Sequence, residues 1–401
     1  MMRLPTNAIG APAEFALACA CAIWPPSAAR DQAVRAAAAK VSDWPRFLRV
    51  VRRHRLDGMA DNALAAAGIA MPSDVALALQ QRGAMTARRT QVMAEESARL
   101  QQIFDKSNIA NLILKGAGIT ALAYDNVPVK QAWDIDIVVP PESVEPAIVL
   151  LGMAGYRLIS PGEQLSLAQL RIYIALGREF ILAGRDQVFV ELKWTLDQNP
   201  SILPGITARS PSQVVAGPGG APIRTLSKDD LFSYVCVHGG RHCFSRLKWL
   251  ADIGALLSKE TPEEIERLYR AAEQRGAGRS AAEALVLCQL FLGTGLAPGL
   301  AAELEADGAV RSLVRASVLT MAGGDGEQEL LQRRLANVRV LVAHFRLGRG
   351  PAFLRSELRL KWVSARDHMQ TPLPQWAGFL YPLIRLPLFV WRRLKYMTAR
   401  S

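Results

Sequence analysis

The stretch Trp133-Asp-Ile-Asp-Ile-Val-Val139, closed by Pro140 and Pro141, constrains this chain more than any other. Branched aliphatic residues favour the extended backbone. Acid and aliphatic alternate with the period of two that a strand imposes. Asp134 and Asp136 therefore share one face, while Ile135, Ile137 and Val139 turn to a core. Two carboxylates on one face repel each other, and packing gives no reason to place them so. A hard divalent cation does, because it takes carboxylate and phosphate oxygens together.

A second strand reads from Val188 to Trp194, with Val190, Leu192 and Trp194 on one face and Phe189, Glu191 and Lys193 on the other. It forms a hairpin with residues Arg178 to Ala183 around Gly184-Arg-Asp186. Laid beside the Asp134 strand, it brings Glu191 into a triad with Asp134 and Asp136. Such a triad is catalytic and metal-binding at once, with room for one or two Mg²⁺ ions. Upstream, Asn111 to Lys115 reads as a short strand, and Gly116-Ala117-Gly118 bends it into a helix over Ile119 to Tyr124. A glycine turn that opens a helix exposes N–H groups able to hold phosphate. Lys115 or Lys130 adds a cation. The G-x-x-x-x-G-K-[ST] phosphate loop is absent.

Around this centre the chain is helical. Residues 1–95 are dense in alanine, and a long helix is expected from Val75 to Ser107, with a break near Gly83. The catalytic core is expected over 96–225, ending in a Pro-, Gly- and Ser-rich loop at 197–226. A helical domain follows over 226–345, with a turn at Gly323 to Gly326. Residues 346–401 form a basic tail with a short amphipathic helix. With 401 residues and 50% hydrophobic content, wholesale disorder is excluded.

Five scattered cysteines make neither a disulfide framework nor a zinc site, which fits a reducing compartment. Phe15 to Trp24 reads as a buried helix and not a signal peptide. No apolar run reaches the roughly 18 residues of a spanning helix. Phe379 to Trp391 is too short and carries Arg385, Pro382 and Pro387. From Arg339 onward, twelve basic residues face Glu357 and Asp367, most of the whole chain's excess of +12. Such a tail suits an anionic partner, either a membrane surface or nucleic acid. The expected location is cytoplasmic, with a peripheral membrane association as the variant.

The stretches Leu114-Lys-Gly-Ala-Gly118, Trp133 to Val139 and Val190-Glu-Leu-Lys-Trp194 resemble the nucleotidyltransferase superfamily of the DNA polymerase β type. More narrowly, with His238-Gly-Gly-Arg-His242 and Arg246 to Asp252, they resemble a bacterial nucleotidyltransferase group within it. The resemblance covers roughly 95–260. It implies an α+β fold, a short mixed sheet with helices, flanked by N- and C-terminal helical regions. It implies Mg²⁺ on Asp134, Asp136 and Glu191 and phosphate at Gly116. This chain departs from the pattern at Ala117, where Gly or Ser is usual, at Lys130 in place of Arg, and at Lys193 in place of His. Lysine keeps the charge of arginine but loses its two-pronged fork.

The expected substrate is a nucleoside triphosphate such as ATP, bound by Lys115, Gly116, Ala117, Lys130, Lys193, His238 and His242. The acceptor is a small molecule, glycan, peptide or protein. An RNA acceptor, or an inactive nucleotide-binding scaffold of the same fold, are the alternatives. His238 and His242, four apart, read as structural or substrate-orienting, with zinc binding or acid–base chemistry as the other options. Lys248 and Asp252 are spaced to pair with each other, and Trp249 reads as core.

Overall fold

The computed structural model describes residues 11–323, 326–332, 336–371, 380, 381 and 383 of the chain. Four helices come first: α1 (Ala13–Cys21), α2 (Ala28–Ala38), α3 (Trp44–His54) and α4 (Asp57–Ala66). The 34-residue α5 (Ser73–Lys106) follows. The sheet region holds β1 (Leu112–Ile113), α6 (Ala117–Tyr124), β2 (Asp134–Val138), α7 (Val144–Met153), β3 (Arg157–Ser160), α8 (Leu167–Leu176), β4 (Glu179–Ala183) and β5 (Phe189–Lys193). A hairpin, β6 (Ser212–Ala216) and β7 (Pro222–Leu226), leads into α9 (Lys228–Arg241) and α10 (Leu247–Leu257). The chain continues through α11 (Pro262–Gln274), α12 (Gly278–Leu292), α13 (Pro298–Ala306), α14 (Gly308–Met321), α15 (Ala336–His344), α16 (Gly350–Trp362) and α17 (Ala365–Gln370).

The sheet order is β1-β2-β5-β4-β3. β2 and β5 run parallel, and the other neighbours are antiparallel. One face is apolar, with Ile135, Ile137, Phe180, Leu182, Val190 and Leu192 all buried. They pack in one cluster with Met93, Leu100 and Phe104 of α5 and with Val144, Ala147 and Leu151 of α7. Full burial of a side chain of this size contributes roughly 1.5–3 kcal/mol, so this face sets which way each strand turns. The acids are left on the other face.

Helix α5 is unbroken. Gly83 marks a close approach and not a break, because a Cβ there would lie 2.3 Å from the Asp61 carboxylate on α4. The segment expected as loop, 197–226, contains the β6–β7 hairpin. Gly219 and Gly220 at its turn adopt φ of 78° and 80°, which glycine reaches without strain. Gln101 of α5 clamps the hairpin: its Oε1 accepts from Arg224 N at 2.7 Å, and its Nε2 donates to the Pro222 carbonyl at 3.3 Å.

The N-terminal helices and the helices after α9 share one apolar core, with Phe15 of α1 edge-on to Phe291 of α12 at 5.7 Å. Part of the expected tail is folded into the protein. Glu357 of α16 is fully buried, paired with Arg241 at 2.7 Å and accepting from Asn199 at 2.9 Å. All five cysteines are free and buried. Among the described residues no helix is long and apolar enough to cross a membrane. Gly324 and Asp325 of the expected turn lie outside the described residues, as does most of Phe379 to Trp391.

Candidate metal and nucleotide site

The parallel pairing of β2 with β5 places Asp136 directly beside Glu191, and Asp134 beside Phe189. Side chains directly across a strand pair stand on the same face, so the acids of both strands converge. Carboxylate oxygens of Asp134, Asp136 and Glu191 all lie within 4.8 Å of one another. On the next strand, Glu179 sits opposite Lys193 and joins the same face.

Asp136 is the floor of the site, 1% exposed. Lys115 Nζ lies 3.0 Å from its Oδ2 and Lys193 Nζ 3.3 Å from its Oδ1. Neither oxygen accepts a hydrogen bond in good geometry, so both buried oxygens keep lone pairs available. Burial opposes ionisation of Asp136, but Lys115 and Lys193 outweigh it and hold the carboxyl well below its usual range. Burial, and then the Asp136 charge, push Glu191 up. Lys193 Nζ also lies 2.6 Å from Glu191 Oε2 and forms a close ion pair with Glu179. Hard oxygens from three side chains, two of them buried on Asp136 and faced by lysine ammonium groups, are a donor set that fits Mg²⁺.

Asp134 and Glu191 open on a cleft of about 250 Å³, with Asp136 buried beside them. Arg55, Lys115, Arg178, Lys193, Arg241, Arg246 and Lys248 contribute to its walls, so cations outnumber the lining acids Asp134, Glu179, Glu191 and Asp197. Several of these cations are held in place, Arg178 by Glu179 at 3.0 Å, Arg241 by Asp197 at 2.6 Å and Arg246 by Glu329 at 3.2 Å. Arg55 and Lys248 have no ion-pair partner among the described residues. Burial, with Lys130 and Arg55 nearby, pushes the Lys248 amine down to about 7. A cleft with this surplus is matched to a polyphosphate.

His238 and His242 line the cleft from α9, their rings 5.0 Å apart. His242 is exposed toward the cleft and stacks on Trp249 at 4.9 Å. Burial and the surrounding cations, Lys115 foremost, depress both imidazoles. Neither histidine belongs to the acidic cluster, which is the only group of three or more metal-ligating side chains among the described residues.

Gly116 caps α6 with φ of 68°, a left-handed conformation that glycine reaches without strain. Ala117 is buried at the start of that helix, and neither residue's side-chain position lines the cleft. Lys130 also lies off the cleft wall. It is buried and pairs with Asp252, which also accepts from Tyr124 Oη at 2.9 Å. This corrects the expected Lys248–Asp252 pair: Asp252 points inward to Lys130, and Lys248 is left facing the cleft. Trp249 is half-buried: it packs against the main apolar core and also lines the cleft.

The sequence reading missed Glu179, Arg178, Arg55 and Arg241. Glu179 carried a usable signal, because the hairpin turn alone sets it across from Lys193. Arg178 adjoins Glu179 in the chain, whereas Arg55 and Arg241 carried none, since they arrive from the end of α3 and from α9.

No curated protein and no solved structure matches the chain significantly. A family profile described as an uncharacterised nucleotidyltransferase matches residues 40–293, more than half of the chain and the whole of the acidic site. With that match laid over the Asp134, Asp136 and Glu191 cluster, the chain belongs to this nucleotidyltransferase family, within the polymerase β-like superfamily, and is a metal-dependent nucleotidyltransferase.

Proposed function

We propose that the protein transfers a nucleoside monophosphate from a nucleoside triphosphate, with Mg²⁺, to a hydroxyl of a small molecule, glycan, peptide or protein. One observation carries this reading: three carboxylates converge at the floor of a cleft whose walls hold a surplus of cations. In the reaction the acceptor oxygen bonds to the α-phosphorus. The bond from that phosphorus to the β-phosphate bridging oxygen breaks, pyrophosphate leaves, and the hydroxyl proton passes to solvent. Mg²⁺ supplies charge neutralisation on the phosphoryl oxygens.

The residues of the chain do the rest. Asp134, Asp136 and Glu191 hold the ion. Arg55 and Lys248, lacking carboxylate partners, receive triphosphate oxygens. Trp249 and His242 offer a flat aromatic wall, on which a planar group stacks. Binding this charge within a narrow cleft keeps the reacting groups aligned.

The buried ion pairs of Asp136 with Lys115 and Lys193 favour a second reading, in which the chain binds nucleotide without turning it over. Pyrophosphate release, measured across a panel of acceptors with each of the four nucleoside triphosphates, separates the two. The enzyme reading expects release that needs Mg²⁺ and falls about a hundred- to a thousandfold in Asp134→Asn, the scale of losing an electrostatic stabiliser of the transition state. Nucleotide binding by calorimetry with no release from any acceptor favours the second reading. Release undiminished in Asp134→Asn sinks the assigned site.

A further inference from the structure

The Lys193 ammonium sits where a cation with oxygen ligands belongs. Its side chain is 7% exposed. Three carboxylates from three adjacent strands surround it: Glu179 in a close ion pair, Glu191 Oε2 at 2.6 Å and Asp136 Oδ1 at 3.3 Å. The arrangement follows from register, since Lys193 lies opposite Glu179 and two residues beyond Glu191 on the same face.

The formal charges around it nearly balance. Asp134, Asp136, Glu179 and Glu191 meet Lys115, Lys193 and Arg178, so the acid cluster is left with a single net negative charge. Displacing Lys193 would strand a buried ammonium or leave buried acids unpaired, either of which costs several kcal/mol. Asp134 has no ion-pair partner among the described residues and is half-buried. It is the open carboxylate of the group.

We propose that the Lys193 ammonium is a built-in replacement for one of the two divalent ions a triad of this kind can hold, so the site takes a single divalent ion at its Asp134 end. The tethered charge removes one ion's requirement for external metal. It also leaves the acid cluster too weakly negative for a second. This rests on the reading of the triad as a metal site.

The test uses Mn²⁺ as the probe, with the full chain and an equimolar non-hydrolysable ATP analogue, followed by electron paramagnetic resonance. Two Mn²⁺ ions about 3.5–4 Å apart, the spacing of paired catalytic ions, couple and give a spectrum distinct from that of an isolated ion. The wild-type chain is expected to bind one Mn²⁺ and show only the isolated-ion signal. Lys193→Met is expected to take up a second ion and show the coupled signal. Lys193→Arg, which keeps the charge, should stay at one.

A coupled pair in the wild type overturns the proposal, as does a Lys193→Met chain that still holds one ion. Should Lys193→Met fail to fold, Lys193→Met with Glu179→Gln removes the acid left unpaired and is read in the same way. No protein-bound Mn²⁺ in any form, with or without the analogue, removes the metal reading of the triad itself. That result is separate from the two-ion outcome, which leaves the proposed activity standing.

Discussion

Asp134 and Asp136 stand two residues apart on one strand face, yet replacing each with asparagine should change stability by very different amounts. Asp136 is 1% exposed and ion-paired to Lys115 and Lys193, whose side chains are 16% and 7% exposed. Removing one partner of a buried ion pair costs about 3–5 kcal/mol. The low end applies here, because Lys193 keeps Glu179 and Glu191 while Lys115 is partly hydrated. Asp136→Asn is therefore expected to lose about 3 kcal/mol of unfolding free energy. Asp134 has no ion-pair partner among the described residues, and Asp134→Asn should change stability by less than about 1 kcal/mol, the scale of a substitution away from buried networks. Both variants should lose pyrophosphate release to a similar degree, since both remove a metal ligand. Urea unfolding followed by circular dichroism, with no metal present, gives the first comparison. Equal stability of the two variants would refute the claim that Asp136 anchors the two lysines.

Three further outcomes are expected. Lys248→Met should weaken nucleoside triphosphate binding by calorimetry about tenfold, the loss of one charge-assisted contact. With the Lys248 amine at about 7, affinity should fall from pH 6 to pH 8 more steeply in the wild type than in the variant, and identical slopes would exclude Lys248 as the phosphate contact. Glu283 is fully buried, and burial raises its carboxyl to about 8 although Ser317 donates to it at 2.5 Å. Between about 4.5 and 8 the unfolded chain releases this proton and the folded chain keeps it, so stability falls as pH rises, by up to about 1.4 kcal/mol per pH unit. Glu283→Gln should remove that slope, raising the melting temperature relative to wild type more at pH 8 than at pH 5; parallel melting curves would count against it. Gly276→Ala should destabilise the fold by about 3 kcal/mol in urea unfolding, because Gly276 adopts φ of 68° and a Cβ there would lie 2.1 Å from the Ser201 carbonyl; a change under about 1 kcal/mol would show that the backbone relaxes.

The site's acids were legible because strand periodicity is local. Alternation in Trp133 to Val139 and in Val188 to Trp194 assigns each side chain to a face before any tertiary contact is known. The apolar faces so assigned are the buried ones, and the acidic faces line the cleft. The hairpin of β4 and β5 was legible for the same reason. The β6–β7 hairpin was not, because glycine and proline mark a turn and a loop alike, and its strands are held by Gln101 from another element.

What the sequence alone determined is the identity and facing of the three carboxylates, the glycine bend before α6, and the helical character of the flanks. Those follow from backbone geometry over a few residues. Only the tertiary structure decided which cations face the cleft. Lys130 and Lys248 look alike in the chain, yet Asp252 draws one inward and leaves the other free. Arg55 and Arg241 reach the cleft from α3's end and from α9, and Lys193 meets Asp136 only once β2 and β5 are in register. Charge pairing depends on distance in space, and no spacing along a chain encodes it when the partners lie on elements more than a hundred residues apart.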